Sequence, residues 1–325
     1  IIPQALKAYG FENVSIVSPQ AIPDGNFPTC VSPNPEEPSA LELGLRQAQS
    51  EDADILLATD PDADREAIAV KKKNGEWVLL NGNQTATLFS YYLLKRWSEE
   101  GKLNGKQYII KTIVTTEMIK KVAERFGVDC FDTLTGFKHI AAKIRELEGV
   151  KEFIGGGEES FGFLIGDFVR DKDAVSGCCI LAEMAAYAAS NGETLYDMLL
   201  NLYTEFGFYQ EKQVSVVKKG KSGAEEIAKM MNDFRNTPPQ TIDGVSVTQI
   251  IDYLKPEITG LPKSNVLQYF LSDGSKVSVR PSGTEPKIKF YFSICLQMEN
   301  VDLIEQRQDE ALQKIDRIKQ ELELN

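Results

Sequence analysis

Apolar and polar positions along the chain switch between short runs and helical stretches. Asp54-Ile55-Leu56-Leu57-Ala58 reads as a strand, Gln84 to Trp97 as a helix and Tyr108 to Val114 as a strand again. Glu117 to Arg125 predicts a helix, and Phe153-Ile154 is an apolar pair ahead of a glycine run. An Ala-rich helix is expected from about Gly177 to Ser190, stopped by Asn191-Gly192. The pattern shifts near Lys212 to Gly223, after which helix, loop and strands lead to Ile304, Ala311, Ile315, Ile318 and Leu322, a helical stripe suited to packing on a sheet. The class this implies is α/β, with consecutive α/β domains carrying mixed sheets and a smaller C-terminal α+β domain. Glu99-Glu100-Gly101-Lys102-Leu103-Asn104-Gly105 is polar and glycine-punctuated, so a first boundary is expected there and three domains over 1–104, 105–211 and 212–325.

A length of 325 residues with 42% hydrophobic and 26% charged side chains allows compact cores and excludes a disordered or fibrous chain. Thirty-six basic against 48 acidic residues give a formal charge of −12. Such a surface repels nucleic acid and anionic lipid, so an anionic ligand needs a local basic pocket. No run of about eighteen apolar residues is present for a membrane span. Ile1-Ile2-Pro3-Gln4 resembles neither a signal peptide nor a start, and the chain is expected to begin mid-protein. Five cysteines, Cys30, Cys130, Cys178, Cys179 and Cys295, lack zinc-like pairing and suit a reducing cytoplasmic setting. His139 is the single histidine, which excludes histidine-rich metal sites.

Four loops carry candidate chemistry. In Ala58-Thr59-Asp60-Pro61-Asp62-Ala63-Asp64-Arg65, three carboxylates at alternate positions follow an apolar strand. Hard oxygen donors converging at the end of a strand make a site for Mg²⁺, although a solvated acidic turn would carry the same residues. An EF-hand is rejected, because its sixth and twelfth positions would be Arg65 and Lys71. Gly155-Gly156-Gly157-Glu158-Glu159-Ser160-Phe161-Gly162 reads as a flexible glycine turn offering carboxylates and a hydroxyl to a sugar ring, or as a structural loop. Val279 to Lys289 holds Arg280, Ser282, Gly283, Thr284 and Lys287, a donor set matching a phosphate, between strands where Ile288, Phe290, Phe292 and Ile294 are expected inside and Lys287, Lys289 and Tyr291 outside. Thr135-Gly136-Phe137-Lys138-His139 places a lysine and the histidine around a turn, a pattern also expected of surface Lys and packed His.

Together, in this order, the four loops resemble the α-D-phosphohexomutase family, and the phosphoglucomutase branch in particular. The resemblance covers essentially the whole chain and extends to Ser32-Pro33-Asn34-Pro35-Glu36-Glu37 and to Arg170-Asp171-Lys172-Asp173. It implies Mg²⁺ on Asp60, Asp62 and Asp64, ring hydroxyls on Glu158 and Ser160, and the non-reacting phosphate on Arg280, Ser282, Gly283, Thr284 and Lys287. It also implies Arg65 and Lys138 in charge stabilisation or proton transfer at the reacting hydroxyl. The family's substrates are hexose phosphates: glucose 1-phosphate, glucose 6-phosphate and the 1,6-bisphosphate between them. Its nucleophile is a phosphoserine in a Thr-Ala-Ser-His-Asn-Pro segment, and this sequence has none, since His139 stands between Lys138 and Ile140. The expectation is therefore a fragment lacking the N-terminal phosphoserine domain and inactive alone. Phosphopentomutase, phosphomannomutase and a non-catalytic sugar-phosphate-binding protein remain as alternatives.

Overall fold

The computed structural model describes residues 1–218, 220–283 and 285–324, with 220–222 described by backbone alone. Contacts group them into two compact units, 1–201 and 202–325.

The first unit begins with α1 (Ile2–Ala8), α2 (Pro38–Ser50), β1 (Ile55–Thr59), β2 (Glu66–Lys71) and β3 (Trp77–Leu79). The three strands form one antiparallel sheet in which Ile55 faces Val70 and Thr59 faces Glu66, so residues 60–65 are the hairpin turn. Alternation along β1 divides its side chains between two cores. Ile55 and Leu57 pack with Leu6 and the later Cys179 and Ala182, while Leu56 and Ala58 pack with Leu41, Ala67 and Phe161. A strand with apolar groups on both faces needs cover on both sides, which explains the unbroken apolar run in the sequence.

The unit continues with α3 (Gly82–Glu99), β4 (Gln107–Thr112), α4 (Met118–Arg125), β5 (Asp129–Thr133), α5 (Phe137–Leu147), β6 (Glu152–Gly157), β7 (Phe163–Ile165) and α6 (Ala174–Ser190), and the division between the units falls within α7 (Leu195–Phe206). Strand order is β5-β4-β6-β7, parallel except for β7, which makes the mixed sheet expected of an α/β chain. Tyr108, Ile110, Phe153 and Leu164 of the sheet bury against Phe137, Ile140 and Ile144 of α5. The glycine run departs from the sequence reading. Gly155, Gly156 and Gly157 are strand residues of β6, not a flexible turn. A Cβ on Gly156 would stand 2.5 Å from the Ile110 carbonyl oxygen, so the missing side chain serves close packing of backbones rather than mobility.

The second unit contains β8 (Phe208–Val217), α8 (Gly220–Asn236), β9 (Thr241–Ile242), β10 (Val245–Asp252), α9 (Pro256–Thr259), β11 (Leu267–Leu271), β12 (Lys276–Pro281), β13 (Lys287–Leu296) and α10 (Ile304–Glu321). Its six strands are antiparallel in the order β8-β13-β12-β11-β10-β9, and α10 packs on β13 and β8. Ala311, Ile315 and Ile318 are its buried stripe, and Ile288, Phe290, Phe292 and Ile294 are buried in β13. Tyr291 was expected on the solvent side but is buried too, as is Ser293, so this sheet is covered on both faces along most of β13. All five cysteines are free thiols, and among the described residues no helix is long and apolar enough to cross a membrane.

Candidate functional site

The acidic hairpin turn is held by its own first residue. Asp60 Oδ1 accepts the backbone N–H groups of Asp64 (3.0 Å) and Arg65 (3.1 Å), and the Asp60 N–H donates to the Arg65 carbonyl at 3.3 Å. Ala63 takes a left-handed φ of 55° to close the turn. The result gathers the carboxylates of Asp60, Asp62 and Asp64, with one oxygen of each within 4.8 Å of the others, a donor set a divalent cation fits. Burial, with Asp64 nearby, pushes the Asp60 carboxyl above its ordinary value, a strain that a bound cation relieves.

Two organic cations flank the trio. Lys172 Nζ lies 2.7 Å from Asp64 Oδ2, and Arg65 Nε lies 3.7 Å from both Asp60 Oδ2 and Asp64 Oδ1. Arg65 Nη1 donates to Glu36 Oε1 at 3.0 Å.

The sugar-type loop, residues 158–162, joins β6 to β7 and is tied to the hairpin by the Glu66 N–H, which donates to the Phe161 carbonyl at 3.1 Å. Phe161 itself has a left-handed φ of 65°, unusual for an aromatic residue. The two glutamates do different things. Glu159 turns inward, where its Oε2 accepts the hydroxyls of Thr112 and Thr115 at 3.1 Å each. Glu158 accepts the Gly136 N–H at 2.8 Å, which joins the loop to the segment carrying Lys138. Burial raises the Glu158 carboxyl above its usual range against the pull of the Gly136 N–H, Lys172 and Arg65. Ser160 is half-buried at the loop tip. Lys138 and His139 do not bracket a turn; they lie in the first turn of α5, and Lys138 is exposed.

Lys172 connects all three loops. Besides Asp64, its stem fills the space beside Gly162, where a Cβ would come within 2.1 Å of Lys172 Cδ, and its ammonium sits 5.4 Å from the Phe137 ring centre. The sequence marked Arg170-Asp171-Lys172-Asp173 without a role for Lys172; the signal was a lysine set among aspartates. Glu66 was missed altogether. It is fully buried on β2, and its Oε2 has no hydrogen-bond partner among the described residues. Burial, backed by Asp173 and Asp60, pushes its carboxyl well above the ordinary glutamate value.

These shifts set a pH dependence. Asp60, Glu66 and Glu158 each hold a proton more tightly folded than unfolded, so the folded chain carries extra protons above the unfolded carboxyl values of 3.8 and 4.5. Stability therefore falls as pH rises from about 4.5 through the folded values. Melting temperature in EDTA is expected to fall as pH rises above about 4.5, and to fall less in Glu66→Gln.

In the second unit, the expected phosphate loop connects β12 to β13, with Arg280 opposite Lys289. Ser282 N–H donates to the Lys287 carbonyl at 2.7 Å, Ser282 Oγ accepts the Glu285 N–H at 3.3 Å, and Lys287 Nζ pairs with Glu285 at 3.0 Å. Gly283 has open space where a side chain would stand, while Thr284 lies outside the described residues.

The first unit thus defines an α/β protein whose hairpin turn gathers three carboxylates that could hold a metal ion, beside a carboxylate-bearing, glycine-backed loop. Residues 1–75 match the family description "Phosphoglucomutase/phosphomannomutase, alpha/beta/alpha domain II" and residues 81–206 match domain III of the same family. The chain belongs to the α-D-phosphohexomutases. It is 37% identical over 316 residues to a phosphoglucomutase of Staphylococcus haemolyticus, covering 94% of this chain and 56% of that protein. A phosphoglucomutase of Staphylococcus aureus is 37% identical over 312 residues, with 93% and 56% covered. The chain therefore spans about half the length of the curated relatives it matches. The fold is shared with a phosphoglucomutase/phosphomannomutase family protein of Burkholderia thailandensis (TM-score 0.62, 19% identity, 92% of this chain and 53% of that one). It is also shared with pp63/parafusin of Paramecium (TM-score 0.56, 20% identity, 82% and 46%).

Proposed function

We propose that the chain forms the metal- and sugar-binding part of a phosphoglucomutase-type enzyme, which interconverts hexose 1-phosphate and hexose 6-phosphate through a bisphosphate. The observation that supports this most directly is the joining of metal loop, sugar loop and Lys138 segment within one unit through Lys172 and Glu158. In this reading Asp60, Asp62 and Asp64 hold Mg²⁺, which when bound offsets charge on the transferring phosphoryl group. Glu158 and Ser160 take the ring hydroxyls. Arg280, Ser282, Gly283, Thr284 and Lys287 take the phosphate that does not react. Arg65 stabilises charge near the metal loop, and Lys138 holds or moves a proton at the reacting hydroxyl. The 325 residues contain no Thr-Ala-Ser-His-Asn-Pro segment, so the chain by itself is proposed to bind but not to turn over. Its five free thiols support a cytoplasmic location.

Calorimetric titration with glucose 1,6-bisphosphate in Mg²⁺ tests the reading. Saturable binding is expected, weakened at least about tenfold by Glu158→Ala, which removes a charged hydrogen-bond acceptor. A coupled assay for glucose 6-phosphate is expected to stay at background. Absence of bisphosphate binding would reject the assignment, and turnover by this polypeptide would reject its inactivity.

A further inference from the structure

The segment before α2 is stiffened by its sequence. Pro33, Pro35 and Pro38 fix three φ angles, and Asn34 folds the chain back on itself. Its Oδ1 accepts the Glu36 N–H at 3.1 Å and its carbonyl accepts the Glu37 N–H at 3.0 Å, with Pro35 buried beneath. The Glu36 carboxylate is therefore presented from a constrained turn rather than from a free loop. What it meets is Arg65 Nη1, at 3.0 Å.

The opposite edge of the same guanidinium faces the metal loop, but from farther away. Arg65 Nε is 3.7 Å from Asp60 Oδ2 and 3.7 Å from Asp64 Oδ1, beyond hydrogen-bond distance in both cases. A guanidinium is a planar fork that closes readily on carboxylates. Released from Glu36, its nearest anions are two oxygens of the cation site, and a small torsion would bring it onto them. An arginine seated there competes with a divalent cation for the same lone pairs.

We propose that Glu36 is a positioning residue that holds Arg65 away from Asp60 Oδ2 and Asp64 Oδ1, keeping those two oxygens open to a divalent cation. The inference rests on the reading of residues 60–64 as a metal site and extends it to a residue outside that loop. Because Glu36 and Arg65 side chains are each 36% exposed, the coupling is expected to be modest.

Mn²⁺ provides the probe, its free concentration read by electron paramagnetic resonance while the full 325-residue chain is titrated. Four proteins form a double-mutant cycle: the parent, Glu36→Gln, Arg65→Met and the pair together. Glu36→Gln is expected to weaken Mn²⁺ binding about threefold to fivefold in the parent, the scale of a half-exposed ion pair. In the Arg65→Met background the same change is expected to have little effect, since the competitor is gone. Loss of negative charge alone, or loosening of the proline turn, would weaken binding equally in both backgrounds, and that result overturns the proposal. So does unchanged or tighter binding in Glu36→Gln. Failure of all four proteins to bind Mn²⁺ would reject the metal-site reading itself and the proposal with it.

Discussion

A single added methyl at Gly82 is expected to destabilise the first unit by about 3 kcal/mol or more, the upper end of what overpacking costs. Gly82 is the first residue of α3, directly after the Asn81 cap, where Asn81 and Gln84 exchange side-chain and backbone hydrogen bonds at 3.0 and 2.9 Å. On helix propensity alone, alanine would be the better residue by about 1 kcal/mol. Sterics reverse the sign. A Cβ at this position would stand 2.0 Å from the Glu159 carbonyl oxygen, 2.7 Å from its carbon and 2.8 Å from the Phe161 nitrogen. All three are backbone atoms of the sugar-type loop, so no rotamer change relieves the clash. Either α3 or the loop must move, and the loop is pinned on both sides by Glu159 and by the Glu66 N–H. For a unit of about this size, 3 kcal/mol corresponds to a fall in melting temperature of roughly 6–12 °C. Bisphosphate binding is expected to weaken in parallel, because displacement of the loop removes the Glu158–Gly136 hydrogen bond. Urea denaturation of Gly82→Ala checks the first effect and calorimetry the second. A variant melting with the parent would show that the loop yields freely.

Why the sequence disclosed some of this and not the rest follows from the range of the interactions. The aspartate trio was legible because what shapes it is local, over residues 55–65: an apolar strand, alternating carboxylates, and an Asp60 side chain that caps its own turn. The amphipathic stripe of α10 and the inward Ile288, Phe290, Phe292 and Ile294 were legible for the same reason, since period and burial coincide. Tyr291 was misread because alternation reports only which face a residue is on, not whether the second face is also covered. The glycine run was read as freedom when it is closeness: Gly156 lacks a side chain because the β4 backbone occupies the space. Lys172 and Glu36 were visible only as members of short motifs. Their roles depend on Asp64 and Arg65, which they meet through tertiary contacts that no local period encodes. Glu66 is the sharpest case, a charged residue in a short strand that reads as surface yet is fully buried.

Lys111 shows how far support for the sugar-type loop reaches into the core, and Lys111→Met is expected to cost about 3 kcal/mol, at the lower end of the range for breaking a buried ion pair. The side chain is 1% exposed on β4, with its ammonium 2.8 Å from Asp132 and 3.0 Å from Glu117. Burial alone would drive off its proton, but Asp132 and Glu117 outweigh burial and hold the ammonium above its ordinary value. Methionine matches the stem and removes the charge, leaving the two carboxylates without their shared partner. Asp132 is 42% exposed and recovers hydration, which is why the lower end applies; Glu117, at 18%, recovers little. The ammonium also lies 3.4 Å from the carbonyl oxygens of Thr112 and Thr115. Those two threonines hand their hydroxyls to Glu159, so a turn loosened at Lys111 loosens the loop from beneath. The expected signature is therefore double: a lower urea midpoint, and weaker bisphosphate binding although residue 111 is buried in strand β4. Lys111→Arg, which keeps the charge, is expected to recover binding better than stability, because the larger guanidinium overpacks a fully buried site. Equal loss of binding in both variants would instead mean that packing, not the ammonium, shapes the Thr112–Thr115 turn.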